Sequence, residues 1–187
     1  MINEEEIIKA ISNGNKKAFA LLYQHFSINV YNTALSYTKN IEEAEEITQD
    51  VFVKVHKYAA SFKGNAKLST WVYRITVNTS LNYLKKKKKF TLFKNSLSSK
   101  AAVDFEHPGV LLENKENAVA LYKVMDCLPA NQKTAFILSY IDQLPRQEVA
   151  DIMKTSLKSV ESLLQRAKKN MRIELEKMYP NRRKSKK

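Results

Sequence analysis

The chain has 187 residues, 44% of them apolar, and 32 Lys and Arg against 19 Asp and Glu, a formal charge of +13. The apolar share suffices for a packed core, and only three glycines and four prolines argue against a loop-rich or all-β protein. The single cysteine, Cys127, excludes an internal disulfide; beside Met125 and Leu128 it reads as a small buried hydrophobe.

Asn3 to Ile11 is the first predicted helix. Asn3 is its expected cap, and Glu4, Glu5 and Glu6 stand in the first turn, where the helix dipole favours anions. This acidic start has no long apolar run, which argues against a secretory signal. No stretch elsewhere reaches the roughly 18 apolar residues of a membrane helix, so a soluble, cytoplasmic protein is expected. Asn13-Gly14-Asn15 breaks the helix. Lys16 to Tyr37 follows, with Phe19, Leu22, Tyr23, Phe26, Val30, Ala34 and Tyr37 on one buried face. After Lys39-Asn40, Ile41 to Tyr58 makes a third helix with an apolar stripe of Ala44, Ile47, Val51, Val55 and Tyr58. Glu42, Glu43, Glu46, Gln49, Asp50, Val53, Lys54 and Lys57 fall largely away from it. An acidic face would repel nucleic acid. It reads either as a solvated surface or as a docking surface for a protein.

Ser61 to Ser69 is a loop in which Gly64 and Asn65 permit unusual backbone angles. Ser69 or Thr70 is expected to cap a fourth helix, Trp71 to about Lys87. Val72, Ile75, Thr76, Thr79 and Tyr83 share one side of it. Arg74, Asn78, Asn82 and Lys85 form a row on another. Five lysines, Lys85 to Lys89, close the segment. Residues 61–90 hold eight basic side chains and no acidic one. Unopposed positive charge beside aromatic faces and amides suits single-stranded or opened nucleic acid: lysines meet phosphates and rings stack on bases. Phe90 to about Glu113 lacks periodicity and reads as a linker between two domains.

Glu113 to Asp126 is predicted helical, with Ala118, Leu121, Tyr122 and Met125 buried. Asn131 to Ile141 carries Ala135, Phe136, Leu138 and Tyr140. Pro145 to Met153, a Lys154-Thr155 turn and Ser156 to Met178 then show helix-turn-helix spacing. Pro145 suits a first helical position and Ser156 an N-cap. Leu157, Val160, Leu164, Ala167 and Met171 form the expected buried stripe. The outer side holds Lys158, Ser159, Glu161, Ser162, Gln165, Arg166, Lys168 and Lys169, types that bond base edges or phosphates in a major groove. Asn181 to Lys187 is a basic tail. Net charge is −2 over residues 1–60, +8 over 61–90, 0 over 91–125 and +7 over 126–187. Two basic zones either side of a neutral stretch fit two contacts with one long polyanion. His25, His56 and His107 have no Cys or carboxylate neighbours at metal spacing, and there is no Gly-rich phosphate loop. Neither a metal nor another cofactor is expected.

Three stretches, AEEITQDVFVKVHKY, FKGNAKLSTWVYRITVN and LPANQKTAFILSYIDQLPRQEVADIMKTSLKSVESLLQRAKKNMR, occur in that order. Together they closely resemble an extracytoplasmic-function sigma factor, the small two-domain class of the sigma-70 family, over roughly residues 16 to 175. The resemblance implies an all-α chain of two small helical domains joined by a flexible linker, the second a four-helix domain with a helix-turn-helix. Residues 1–90 would be region 2, 91–112 the linker, 113–180 region 4 and 181–187 the tail. Glu45, Glu46, Gln49 and Asp50 would meet the β′ clamp of RNA polymerase, and the second domain its β flap. Asn65, Trp71, Arg74, Asn78 and Asn82, with Lys63 and Lys67 on phosphates, would capture the opened −10 strand. Lys158, Ser159, Glu161, Ser162, Gln165, Arg166 and Lys169 would read the −35 duplex. An anti-sigma factor is the further partner implied. The chain departs from the family at Gln143-Leu144-Pro145, where Gly and Ser or Thr are common, and at Glu161 and Leu163, where Arg is common. Glu161 could accept from cytosine N4, or pair with Lys158 or Gln165.

Two other classes compete. A stand-alone helix-turn-helix regulator would use residues 113–187 and bind palindromic sites as a dimer, but no dimerisation seam is visible. An enzyme acting on nucleic acid needs converging carboxylates or a positioned nucleophile. The acids of residues 42–50 share one helix and mostly diverge.

Overall fold

Asn15 and Asn40 each begin a long helix in the computed structural model, which describes residues 4–94 and 115–180. The expected cap Asn3, the segment holding His107 and the tail from Asn181 lie outside those residues. The chain divides into two units, Met1–Asp104 and Phe105–Lys187. All regular structure among the described residues is helical. The first unit holds α1 (Glu4–Ser12), α2 (Lys16–Thr38), α3 (Ile41–Tyr58) and α4 (Leu68–Lys94). The Asn15 side chain accepts from the Lys17 and Ala18 N–H groups at 3.0 and 3.1 Å, and Asn40 accepts from Glu43 at 2.8 Å. Each cap satisfies donors that a first helical turn leaves open, and is worth about 1 kcal/mol.

Helices α2, α3 and α4 bury Leu22, Phe26, Val30, Leu35, Tyr37, Ile47, Val51, Phe52, Val55, Val72 and Val77 between them. Tyr23 and Tyr58, expected inside, are exposed. Tyr23 lies over the buried Phe52 ring with centroids 4.6 Å apart. Hydroxyls fill part of this core. Thr33, Ser36, Thr48, Thr76 and Ser80 are buried, and each donates to the carbonyl four residues earlier at 2.7 to 3.0 Å. That bond removes the cost of burying the hydroxyl. It also explains why an apolar-stripe reading passes over Thr33, Ser36, Thr48 and Ser80.

Helix α4 begins at Leu68, so neither Ser69 nor Thr70 caps it. The cap comes from elsewhere in the chain. The Glu4 carboxylate of α1 accepts from the Leu68 N–H at 2.8 Å. At its other end α4 continues through all five lysines to Lys94, beyond the expected stop. Lysine is a good helix former, and Lys87 is paired to Glu43 of α3.

Gly64 has φ +70, and a Cβ there would meet Glu5 Oε1 of α1 at 2.2 Å. Gly14 has φ +80 with nothing within 4 Å. Both changes to alanine cost the left-handed backbone term, about 1 kcal/mol. Gly64→Ala must in addition push Glu5 aside. In urea unfolding, Gly64→Ala should be the more destabilising of the two, and a Gly64→Ala/Glu5→Ala double variant should recover the difference.

The second unit holds α5 (Lys115–Asp126), α6 (Ala130–Phe136), α7 (Arg146–Met153) and α8 (Leu157–Met178). Residues Ile137–Ile141 extend α6 as a wider π-type turn, closed by Asp142 N–H to Ile137 O at 2.9 Å. The core is Val124, Met125, Ala135, Ile137, Leu138, Val149, Ala150, Val160, Leu164 and Ala167. Lys133 is buried and paired with Asp126 at 3.0 Å. Three sequence expectations shift here. Cys127 is exposed just past the end of α5 at Asp126, while its neighbour Leu128 is buried. Pro145 is the N-cap of α7 rather than its first residue, with ψ 140 still extended. Leu157, first residue of α8, is exposed, since the packing against α7 starts one turn later at Val160. Ser156 caps α8 as expected, accepting from Ser159 N–H at 3.2 Å.

Candidate nucleic-acid interface

In the first unit, α3 presents its acids to solvent because its other side is filled by Ala44, Ile47, Val51 and Val55. Glu42, Glu45, Glu46, Gln49 and Asp50 are all exposed. They do not form one row. Gln49 points outward, beside Val53, which is 65% exposed. Glu46 and Asp50 line a groove of about 470 Å³ between α3 and α4, with Asn82, Tyr83 and Lys86 on its other wall. Glu45 lies on the opposite flank, near Tyr31 of α2. Burial and then the Glu45 charge hold the Tyr31 hydroxyl above its ordinary pKa.

Tyr83 is pushed up to about 12, by burial first, then by the Glu43 and Glu46 charges and its hydrogen bond to Glu46. A raised folded-state pKa stabilises fully below the ordinary value near 10 and loses that contribution as pH rises through about 12. The tyrosinate absorbance lost on Tyr83→Phe substitution should therefore titrate near 12, and in a Glu46→Gln background it should titrate lower, with burial and the Glu43 charge still holding it above its ordinary value. Equal midpoints in both backgrounds would exclude Glu46 as a cause. Helical spacing put Tyr83 on one side of α4 with Val72 and Ile75 and did not reveal this link between α3 and α4. Glutamates on one helix facing a tyrosine on the next could have suggested it.

The exposed side of α4 is basic. At about 100° per residue, Trp71, Asn78, Asn82, Lys85 and Lys89 fall on one side of α4. All are exposed except the half-buried Trp71. Arg74 is half-buried at the edge of that side. Lys63, Asn65 and Lys67 are exposed on the loop that leads into α4. The loop and the first turns of α4 therefore meet at one end of the helix, and Asn82 alone leans toward the acidic groove. Phe62 was not among the expected site residues. Its ring stands 5.3 Å from that of Trp71 and tilted by 58°, which fixes the indole at the loop's edge. The helix also sorts the lysine run. Lys87 pairs with Glu43 and Lys86 lines the groove, while Lys85 and Lys89 continue the exposed face.

In the second unit, Lys158, Ser162, Gln165, Arg166 and Lys169 lie opposite the buried stripe of α8. Two serines are already engaged. Ser159 bonds Ser156 through its N–H and, at 3.0 Å, its hydroxyl, so it belongs to the cap. Ser162 Oγ accepts from Arg166 Nη2 at 3.0 Å. Glu161 pairs with neither Lys158 nor Gln165. Its partner is Arg146 of α7, at 3.7 Å. Lys168 lies over the Tyr140 ring, 4.7 Å from its centroid. No cluster of His, Cys, Asp and Glu among the described residues could hold a metal, and no described helix is long and apolar enough to cross a membrane.

The family models for Sigma-70 region 2 and Sigma-70 region 4 match residues 22–90 and 118–171. The ECF RNA polymerase sigma factor SigW of Bacillus subtilis is 27% identical over 176 residues, covering 90% of this chain and 94% of that protein. The ECF RNA polymerase sigma-E factor of Escherichia coli K12 is also 27% identical over 176 residues, covering 89% and 91%. Among solved structures, CnrH in complex with the cytosolic domain of CnrY has the same fold. Its TM-score is 0.66 at 17% identity, over 92% of this chain and 97% of that one. The Bartonella quintana sigma factor RpoE in complex with the anti-sigma factor NepR gives 0.66 at 20%, over 86% and 98%. Matches to both regions in order, and likeness to such relatives along almost their full length, place this chain in the sigma-70 family, in its extracytoplasmic-function class of RNA polymerase sigma factors.

Proposed function

We propose that this sigma factor confers promoter specificity on RNA polymerase by dividing the work among three surfaces. Glu46, Gln49 and Asp50, with Glu45 at the flank, dock on the β′ clamp. The loop Lys63, Asn65 and Lys67, with Trp71, Arg74, Asn78 and Asn82, captures the opened −10 strand. Lys158, Gln165, Arg166 and Lys169 of α8, with Glu161 and Ser162, read the −35 duplex, while the β flap receives the second unit. The observation that carries this reading is the polarity of the first unit. The exposed side chains of α3 include Glu42, Glu45, Glu46 and Asp50, whereas the exposed side of α4 is basic, amide-bearing and aromatic, with its indole held by Phe62. A surface that repels DNA and one that stacks on bases suit two different partners.

The chain does no chemistry in this scheme. It works in the cytoplasm, and opening is driven by tighter binding to unstacked bases than to duplex. An anti-sigma partner that withholds it from polymerase is part of the proposal, supported by the anti-sigma complex in which one structural neighbour was solved. The test is transcription in vitro with purified core polymerase on a genomic library. Core plus this chain should start transcripts downstream of two shared sequence elements. Start sites identical with and without the chain would refute the reading.

A further inference from the structure

We propose that Arg146 and Glu161 act as one base-reading couple, which gives this sigma factor a preference for cytosine at one position of the upstream duplex. The inference rests on the helix-turn-helix reading above and deepens it. Glu161 is the fifth residue of α8, in the part of a recognition helix that reaches base edges, and its side chain is 47% exposed. It lies on the flank of α8 that faces α7. Arg146, the first residue of α7, is 3.7 Å away and 53% exposed. The two line a groove of about 290 Å³ with Gln165, Lys168 and Tyr140, and Glu161 is the one acid in that lining.

An ionised carboxylate only accepts hydrogen bonds. In the major groove cytosine offers its N4 amino group, whereas guanine offers the acceptors O6 and N7. Glu161 therefore favours the first and repels the second. A carboxylate entering a field of phosphates needs a cation beside it. Arg146 supplies one, and its guanidinium has five donors, enough to hold Glu161 and still meet a phosphate where the first helix crosses the backbone. An exposed ion pair adds little to folding stability, so the role of this one lies in aiming the carboxylate. Arg146 is a positioning residue in this account, and Glu161 is the residue that touches the base.

The experiment uses the full chain with core polymerase on a promoter library randomised across the upstream element, read out as base preference at each position. Wild type should prefer cytosine over guanine about tenfold or more at one position. Glu161→Gln should lose that preference and shift toward adenine, which glutamine bonds through N6 and N7. Arg146→Ala should reduce the cytosine preference severalfold at that position alone, and Arg146→Lys should restore part of it. A Glu161→Gln profile identical to wild type overturns base reading by Glu161. An Arg146→Ala variant that weakens binding to every sequence equally and leaves the cytosine preference unchanged makes Arg146 a phosphate contact only and overturns the couple. A wild-type library with no enriched upstream element overturns instead the helix-turn-helix reading on which the couple depends. Both side chains are about half exposed, so the variants should fold, and unchanged melting temperatures confirm it.

Discussion

Trp71→Ala should slow promoter opening by about tenfold to a hundredfold while leaving closed-complex binding within about threefold of wild type. The magnitude follows from base–aromatic stacking, about 1–3 kcal/mol for each base. The half-buried indole is held by Phe62 at 5.3 Å, at the point where the Lys63–Lys67 loop enters α4. A base leaving the duplex would find there a ring that is already oriented. Fluorescence of 2-aminopurine in the −10 strand measures opening, and gel retardation at low temperature measures the closed complex. Phe62→Leu should give a smaller defect of the same kind, because it keeps the indole but loosens its support. Asn78→Ala should also act on opening, since Asn78 is exposed on the same side of α4. If these variants lowered both steps equally, the α4 face would be a duplex contact.

Glu46→Lys/Asp50→Lys should weaken binding to core polymerase by about a hundredfold or more. Truncating one partner of a desolvated, hydrogen-bonded charge pair costs about 2–5 kcal/mol, and reversal adds repulsion. Both residues are exposed, and Asp50 has no partner among the described residues, so a melting temperature within a few degrees of wild type checks that the lost Glu46–Tyr83 bond has not unfolded the variant. Glu46→Gln is the control, because it removes the charge and keeps an acceptor for Tyr83. It should lose affinity less. The wild-type affinity should fall with ionic strength, and the double variant should show a shallower slope. Fluorescence titration with labelled core gives both numbers. An unchanged affinity in the double variant would move the docking surface elsewhere, with exposed Val53 as the next residue to alter.

Periodicity made the order of helices legible, and α3 runs from Ile41 to Tyr58 as the stripe implies. Local capping chemistry was legible too, at Ser156. What the sequence hid was non-local. The α4 cap comes from Glu4, 64 residues earlier, and no local pattern reports it. The buried Ser36 and Ser80 escaped for another reason: they look polar in a stripe count, because their bonds to the preceding turn cannot be seen there. Cys127 and Leu157 were misplaced for a related reason. Each stands at a helix end, where the direction of the chain, rather than the residue's hydrophobicity, decides exposure.

The candidate site shows the same division. Composition picked out the basic loop and helix, and spacing picked out the row on α4. Neither could place Phe62 under Trp71, because the two lie nine positions apart across a turn at Gly64. Nor could helical spacing within α8 find Arg146 beside Glu161, since the pair joins two helices. The lysine run looked uniform in the sequence. The helix gives Lys87 to Glu43 and leaves Lys85 and Lys89 on the exposed face.

In the proposed scheme the first unit both holds polymerase and captures an opened strand. A promoter footprint taken with the chain alone, with core alone and with both together separates these roles, with permanganate reactivity marking unpaired thymines. Little protection and no reactivity are expected with either component alone. With both, two separated elements should be protected, with reactive thymines in the downstream one. A footprint from the chain alone that does not change when core polymerase is added would contradict the scheme.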